Sequence, residues 1–203
     1  MSHRSVFLNV PYDGEFQPLF LAYLVGVRGF GLLPHAALEV PSMGPQIDRI
    51  VQLLKTCDYS IHDMSWVGLT EEHPQVPRFN MPFELGMAYW YSLQGDHQCR
   101  IFESDHRRFE RSLSDLKGFH VYQHQSAEAE LFSRLTEAFI DEDLKPSVED
   151  MIAIYVLVKS MVPEILNLVG AKNIFHARAF QEVSFATGEF WAARQVRSRS
   201  SHA

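Results

Sequence analysis

Across residues 5–140, short apolar runs alternate with stretches whose apolar positions recur every three or four residues. Val6–Val10, closed by Pro11, predicts a buried strand. Asp13 can cap a following helix, in which Phe16, Leu19, Phe20, Tyr23 and Leu24 share one face. Gly26, Gly29 and Gly31 are expected to break that helix and turn the chain into a second strand near 32–38. They follow a helix, not a strand, so the spacing does not imply a phosphate-cradling loop. A helix is expected over 45–55, with Ile47, Ile50, Val51 and Leu54 on one face, then a third strand over 57–64. A long loop over 65–78 precedes a helix over 83–91, a strand over 98–103 and a helix over 107–116. A short strand over 119–122 and a helix over 127–140 complete the series. Strand–helix alternation through five strands predicts an α/β fold: an open, mostly parallel sheet with helices on both faces, in flavodoxin-like order.

After Asp141-Glu-Asp-Leu-Lys-Pro146 the pattern changes. Ser147 with Asp150 three residues on resembles a capping box. The helix it opens is apolar almost all round, with Met151, Ile152, Ile154, Tyr155, Val156, Leu157 and Val158. Such a helix needs cover from a neighbouring helix or a second subunit. Pro163 is expected to kink it and Gly170 to end it, and residues 173–194 are expected to add one or two more helices. The expected organisation is an α/β domain over 1–145 and a helical C-terminal appendage over 146–203, with homo-oligomerisation through the appendage.

Composition narrows the function classes. The chain has 203 residues, 46% hydrophobic and 21% charged, which fits an ordered globular protein. A formal charge of −7 argues against a nucleic-acid partner, because an acidic surface repels a phosphate backbone. The basic run Arg194–Arg199 reads as a solvated tail. Cys57 and Cys99 form no disulfide framework and no Cys/His spacing fits zinc. The first residues lack the apolar stretch of a signal peptide, and no eighteen consecutive residues are apolar. A cytoplasmic protein without a membrane partner, metal or bound cofactor is therefore expected.

In open α/β sheets the ligand crevice lies outside the carboxyl ends of the strands. The predicted strands bring there Asn9, Tyr12 and Asp13, then His62, Asp63 and Ser65, then Arg78, Asn80 and Glu84, and finally Glu103, Ser104 and Asp105. Glu84 has two readings. Near a helix start its charge suits the helix dipole; lodged between Phe83 and Leu85, it is equally a carboxyl group tuned for nucleophilic or acid–base work. Asp63 reads as a turn residue or a ribose contact, and His62 as a part-buried histidine. Arg78 reads as a loop residue or a bidentate phosphate partner. Tyr12 and Trp66 can stack on a base or cover the core edge.

The ordered set Val6–Asp13, Cys57–Ser65 and Phe79–Ala88 resembles the nucleoside 2-deoxyribosyltransferase-like and TIR-like superfamily over residues 5–140. Its most specific element, Asn80-x-x-Phe83-Glu84-Leu85-Gly86, also resembles TIR-like nucleotide-binding proteins of bacterial defence systems. The resemblance implies cleavage of an N-glycosidic bond, with Glu84 as nucleophile or stabiliser of the sugar cation and Asp63 as sugar contact. Deoxyribosyltransferases carry an Asp-x-Gly-Thr-like stretch before the glutamate; here Arg78 stands in its place. That departure points from nucleosides toward a phosphate-bearing substrate such as NAD. The expected function is an NAD glycohydrolase-like activity, bound through Asn9, Tyr12, Asp13, Ser65, Arg78 and Asn80. The alternatives are a non-catalytic nucleotide-sensing or TIR-like interaction module, a nucleoside deoxyribosyltransferase and an oligomeric scaffold.

Overall fold

The computed structural model describes residues 4–39, 44–65, 79–95, 97–104, 113–114 and 117–200, with the backbone alone for 197–200. Arg78, Trp66 and Asp105 lie outside these residues, as does the helix expected over 107–116 apart from positions 113 and 114. Five strands form one parallel sheet: β1 (Ser5–Asn9), β2 (Leu33–His35), β3 (Tyr59–Asp63), β4 (Gln98–Glu103) and β5 (Val121–Gln123). Their order is β2-β1-β3-β4-β5, the flavodoxin-like arrangement. The described helices are α1 (Gln17–Gly29), α2 (Gln46–Thr56), α3 (Asn80–Ser92), α4 (Glu128–Ala138), α5 (Val148–Val169) and α6 (Ala177–Ser200).

The strand period of two sorts each strand between two cores. Val6, Leu8, Tyr59, Ile61 and Phe102 pack under α1 and α4. Phe7 packs on the other side with Ile50, Leu53 and Leu54 of α2 and Ala88 of α3. Asn9, Ser60 and His62 share Phe7's face by the same alternation, and the Phe7 and His62 rings meet edge-on at 6.1 Å.

Among the described residues the helical appendage has no core of its own. Met151, Ile154, Val158, Phe180, Val183 and Trp191 belong to the cluster that holds Leu8 and Phe20. Phe20 stands 5.2 Å from the ring of Phe175 and 5.8 Å from that of Phe180. The N-terminus of α5 is capped by the Ser147 side chain, which accepts from the Asp150 N–H, and its end by Gly170 in the left-handed region. Pro163 sits inside α5 without ending it. By length and composition alone α5 could cross a membrane, with mean hydropathy 1.7, a property core helices share. Its face of Met151, Ile154, Tyr155, Val158, Val162 and Ile165 is buried, whereas Ile152, Val156 and Leu157 are exposed.

One expectation is corrected. Gly26 does not break α1 but lies inside it, and Gly29 is its last residue. Each removes a side chain where another element presses in. A Cβ on Gly26 would collide with the Leu135 side chain of α4, and one on Gly29 would stand 2.7 Å from the Trp191 ring of α6. Only Gly31 takes the turning role, at φ +74°. Trp191 cannot yield easily, because its indole N–H donates to the Val25 carbonyl at 2.9 Å. We expect Gly29→Ala to destabilise the fold by about 1–3 kcal/mol through overpacking, although alanine is the better helix former. A lower urea midpoint at unchanged slope checks this.

Candidate active site at the carboxyl edge of the sheet

Beyond the carboxyl end of β1 the chain turns through Val10, Pro11 and Tyr12, and the amino end of α3 descends beside it. Between them lies a cleft of about 200 Å³ lined by Asn9, Val10, Pro11, Tyr12, Ala37, Gln46, Ile50, Asn80, Met81 and Glu84. At roughly 30 Å³ of liquid volume per water, it has the room of about seven waters, enough for a sugar ring and little more.

Helix α3 begins three residues earlier than the pattern predicted, at Asn80. Pro82 is no obstacle, since first-turn N–H groups have no partner inside a helix. No side chain caps the amino end of α3. Glu84 lies one turn on and is 7% exposed. Burial pushes its carboxyl above the usual carboxylate range, and the neighbouring Asn9 amide works against that rise. The Tyr12 ring is 39% exposed at the mouth, edge-on to Phe20 at 6.0 Å, while its hydroxyl turns inward and accepts from the Ala37 N–H at 3.2 Å. Burial raises the phenol well above its ordinary value, with Glu84 and Glu39 nearby adding to the rise.

The fold thus brings together Asn9, Tyr12, Asn80 and Glu84. Asp13 stands apart: its side chain accepts from the Glu15 N–H and its carbonyl from Phe16, which makes it the turn into α1. Asp63 and Ser65 also stand apart, for a reason set by strand geometry. Neighbouring residues of a strand point to opposite faces, so His62 goes under α2 and α3 while Asp63 goes under α1. Asp63 is fully buried. One carboxylate oxygen accepts from the Tyr23 hydroxyl at 2.7 Å and from His124 Nε2 at 2.9 Å. The other accepts from the Ser65 N–H at 3.0 Å and hydroxyl at 2.5 Å. Burial alone would raise this carboxyl; the donors from His124, Ser65 and Tyr23 outweigh it and hold the group below its ordinary value. A ribose hydroxyl finds no open face on Asp63 here.

The cluster Ser65–His124–Asp63 has the composition of a hydrolytic triad but not its geometry. A triad histidine bridges serine and aspartate through different ring nitrogens. Here His124 Nδ1 accepts from the Ser126 N–H at 3.2 Å, so Nε2 carries the proton toward Asp63, with Ser65 Oγ 3.3 Å from the same nitrogen. The arrangement ties β3, β5 and α1 together and activates no nucleophile. To reach it, Gln125 and Ser126 adopt left-handed backbone at φ 52° and 54°.

The sequence pattern left Ser60, His97 and Gln46 unassigned and read His62 only as a part-buried histidine. His62 and Asn9 could have been paired from strand alternation once β1 and β3 were placed side by side; nothing local marks His97 or Gln46. Among the described residues no group of three or more His, Cys, Asp or Glu is placed to hold a metal ion.

No protein-family model matches this chain, and no curated protein and no solved structure matches it at a significant level.

Proposed function

We propose that the chain cleaves the N-glycosidic bond of a nucleotide, with nicotinamide–ribose cleavage in NAD as the leading candidate. The observation that carries this reading is Glu84: a carboxyl group 7% exposed, facing a sugar-sized cleft that the Asn9 amide also lines. In the reaction the C1′–N bond breaks and its electron pair leaves with the base. The sugar carbon becomes cation-like, and a carboxylate beneath it stabilises that charge most strongly where water is scarce. Water then supplies the hydroxyl at C1′ and releases a proton. Tyr12 stacks on the ring at the mouth, and Asn9 and Asn80 hold hydroxyls. Asp63 is reassigned from sugar contact to a buried support of the sheet edge.

Glu84 acts as an anion in this scheme. Because burial raises its pKa, the rate falls as pH drops through a value above the ordinary carboxylate range. Incubation of the purified protein with NAD and with a panel of nucleosides, over a range of protein concentrations, tests the reading by base release. Release from nucleosides alone points to deoxyribosyl transfer instead. No release at any concentration, with nucleotide still bound, defeats catalysis and leaves the sensing module.

That second reading has its own support. On α3, the helix that carries Glu84, Phe83 is 62% and Trp90 66% exposed. They border an apolar groove of about 600 Å³ against Val51 and Leu54 of α2. An interaction module would use such a face, and the exposed side of α5 would serve the homo-oligomer.

A further inference from the structure

A line of buried polar side chains crosses the sheet on the α2–α3 side, from the Glu84 cleft to the opposite edge. His97, just before β4, is 6% exposed and borders a second, polar hollow near Asp58, Tyr91 and Gln94. Its Nδ1 lies 2.8 Å from the Cys57 carbonyl oxygen. Its Nε2 lies 2.8 Å from Ser60 Oγ, which lies 3.1 Å from His62 Nε2. His62 Nδ1 lies 2.9 Å from Asn9 Nδ2, and Asn9 lines the same cleft as Glu84. Asn9 and His62 are direct partners in the β1–β3 register, which holds that last link in place.

A carbonyl oxygen only accepts, and this fixes the direction of every bond in the line. His97 must carry its proton on Nδ1, so its Nε2 accepts from the Ser60 hydroxyl. Ser60 Oγ then accepts from His62 Nε2–H, which leaves His62 Nδ1 as an acceptor. Asn9 must therefore turn its NH2 group toward His62, which leaves the second N–H of that group for the Glu84 carboxylate in the same cleft. The reverse amide orientation would set a carbonyl oxygen against the His62 lone pair.

We propose that His97, at the far edge of the sheet from the cleft, is a positioning residue for Glu84: it acts through Ser60, His62 and Asn9 to keep an amide donor aimed at the carboxylate. This rests on Glu84 being the reacting carboxylate. Burial supports the neutral line, because it holds His62 uncharged down to about 3 and lowers His97 as well. Asp58 is the charge facing His97, Tyr91 lies 5.6 Å from its ring, and the Cys99 thiol also meets Ser60. Tyr12, with Glu39 behind it, is the titratable neighbour of Glu84.

Two variants remote from the cleft test the line: Ser60→Ala, which breaks it midway, and His97→Phe, which removes its origin while filling the space. Nitrogen NMR of the full chain is expected to find the proton on Nδ1 of His97 and on Nε2 of His62. Both folded variants are expected to shift the Glu84 carboxyl titration upward, read by carbon NMR. They should move the acid limb of the pH–rate profile the same way and lower kcat about tenfold with KM little changed. A proton on Nε2 of His97, or a Glu84 titration unmoved in both folded variants, overturns the proposal. Failure of the wild type to release base defeats the reaction instead, and the NMR readouts then judge the line by themselves.

Discussion

Glu84→Gln is expected to abolish base release, with kcat down by a factor of about 10³ or more, while the protein stays folded. Removing a charge that meets the transition state typically costs about 10²–10³ in rate, and a carboxylate placed directly under the sugar cation belongs at or beyond the upper end. Glutamine keeps the shape and still meets Asn9, so ground-state binding changes little and the loss appears in kcat. Stability is expected to hold or rise. A carboxyl whose pKa is raised by burial is ionised at a cost in the folded state, and the neutral amide avoids that cost. Single-turnover base release beside a thermal melt separates the two effects. Residual release within tenfold of wild type would remove Glu84 from the reaction.

The second large effect is on the fold. Asp63→Asn is expected to destabilise the protein by about 3–5 kcal/mol, because an amide NH2 must face donors that now meet a carboxylate oxygen. Tyr23 and His124 share one oxygen and the Ser65 N–H and hydroxyl the other, so neither orientation of the amide spares them. The pH dependence has a definite sign. Asp63 titrates below its ordinary value in the folded protein, so its stabilisation is present above the unfolded pKa of about 3.9 and is lost as pH falls through the lower folded value. Urea titrations from neutral to acid pH should therefore show a shallower acid decline in Asp63→Asn than in wild type. Tyr23→Phe, which removes one donor and leaves the carboxylate, should cost only about 1 kcal/mol. Equal losses in the two variants would contradict the central role of the carboxylate.

Much of the fold was legible along the chain because its signals are local. Val6–Val10 and Gln98–Glu103 are apolar or alternating runs bounded by turn residues, and β1 and β4 lie there. Ser147 and Gly170 mark helix ends through backbone needs that nearest neighbours decide, and both ends were found where expected. Gly26 misled, and Gly29 gave the helix end without showing its packing role, because glycine carries one signature for two causes. A turn and a close approach of another helix both remove the side chain, and Leu135 and Trp191, which press on these sites, are more than 100 positions away.

The site divides in the same way. By itself the sequence determined the strand–helix alternation and the placement of the segment Asn80–Gly86, with Glu84, beyond the carboxyl ends of the strands. These follow from periodicity and from the fixed hand of parallel crossovers. Only the tertiary structure decided that Asn9 and Glu84 meet, that Asp63 turns away beneath Tyr23, and that His97 stands at the far end of a line reaching Glu84. A one-residue step along β3 separates His62 from Asp63, yet it sends them to opposite faces of the sheet. Which face receives the cleft depends on the helices packed there, and that is a property of the assembled chain.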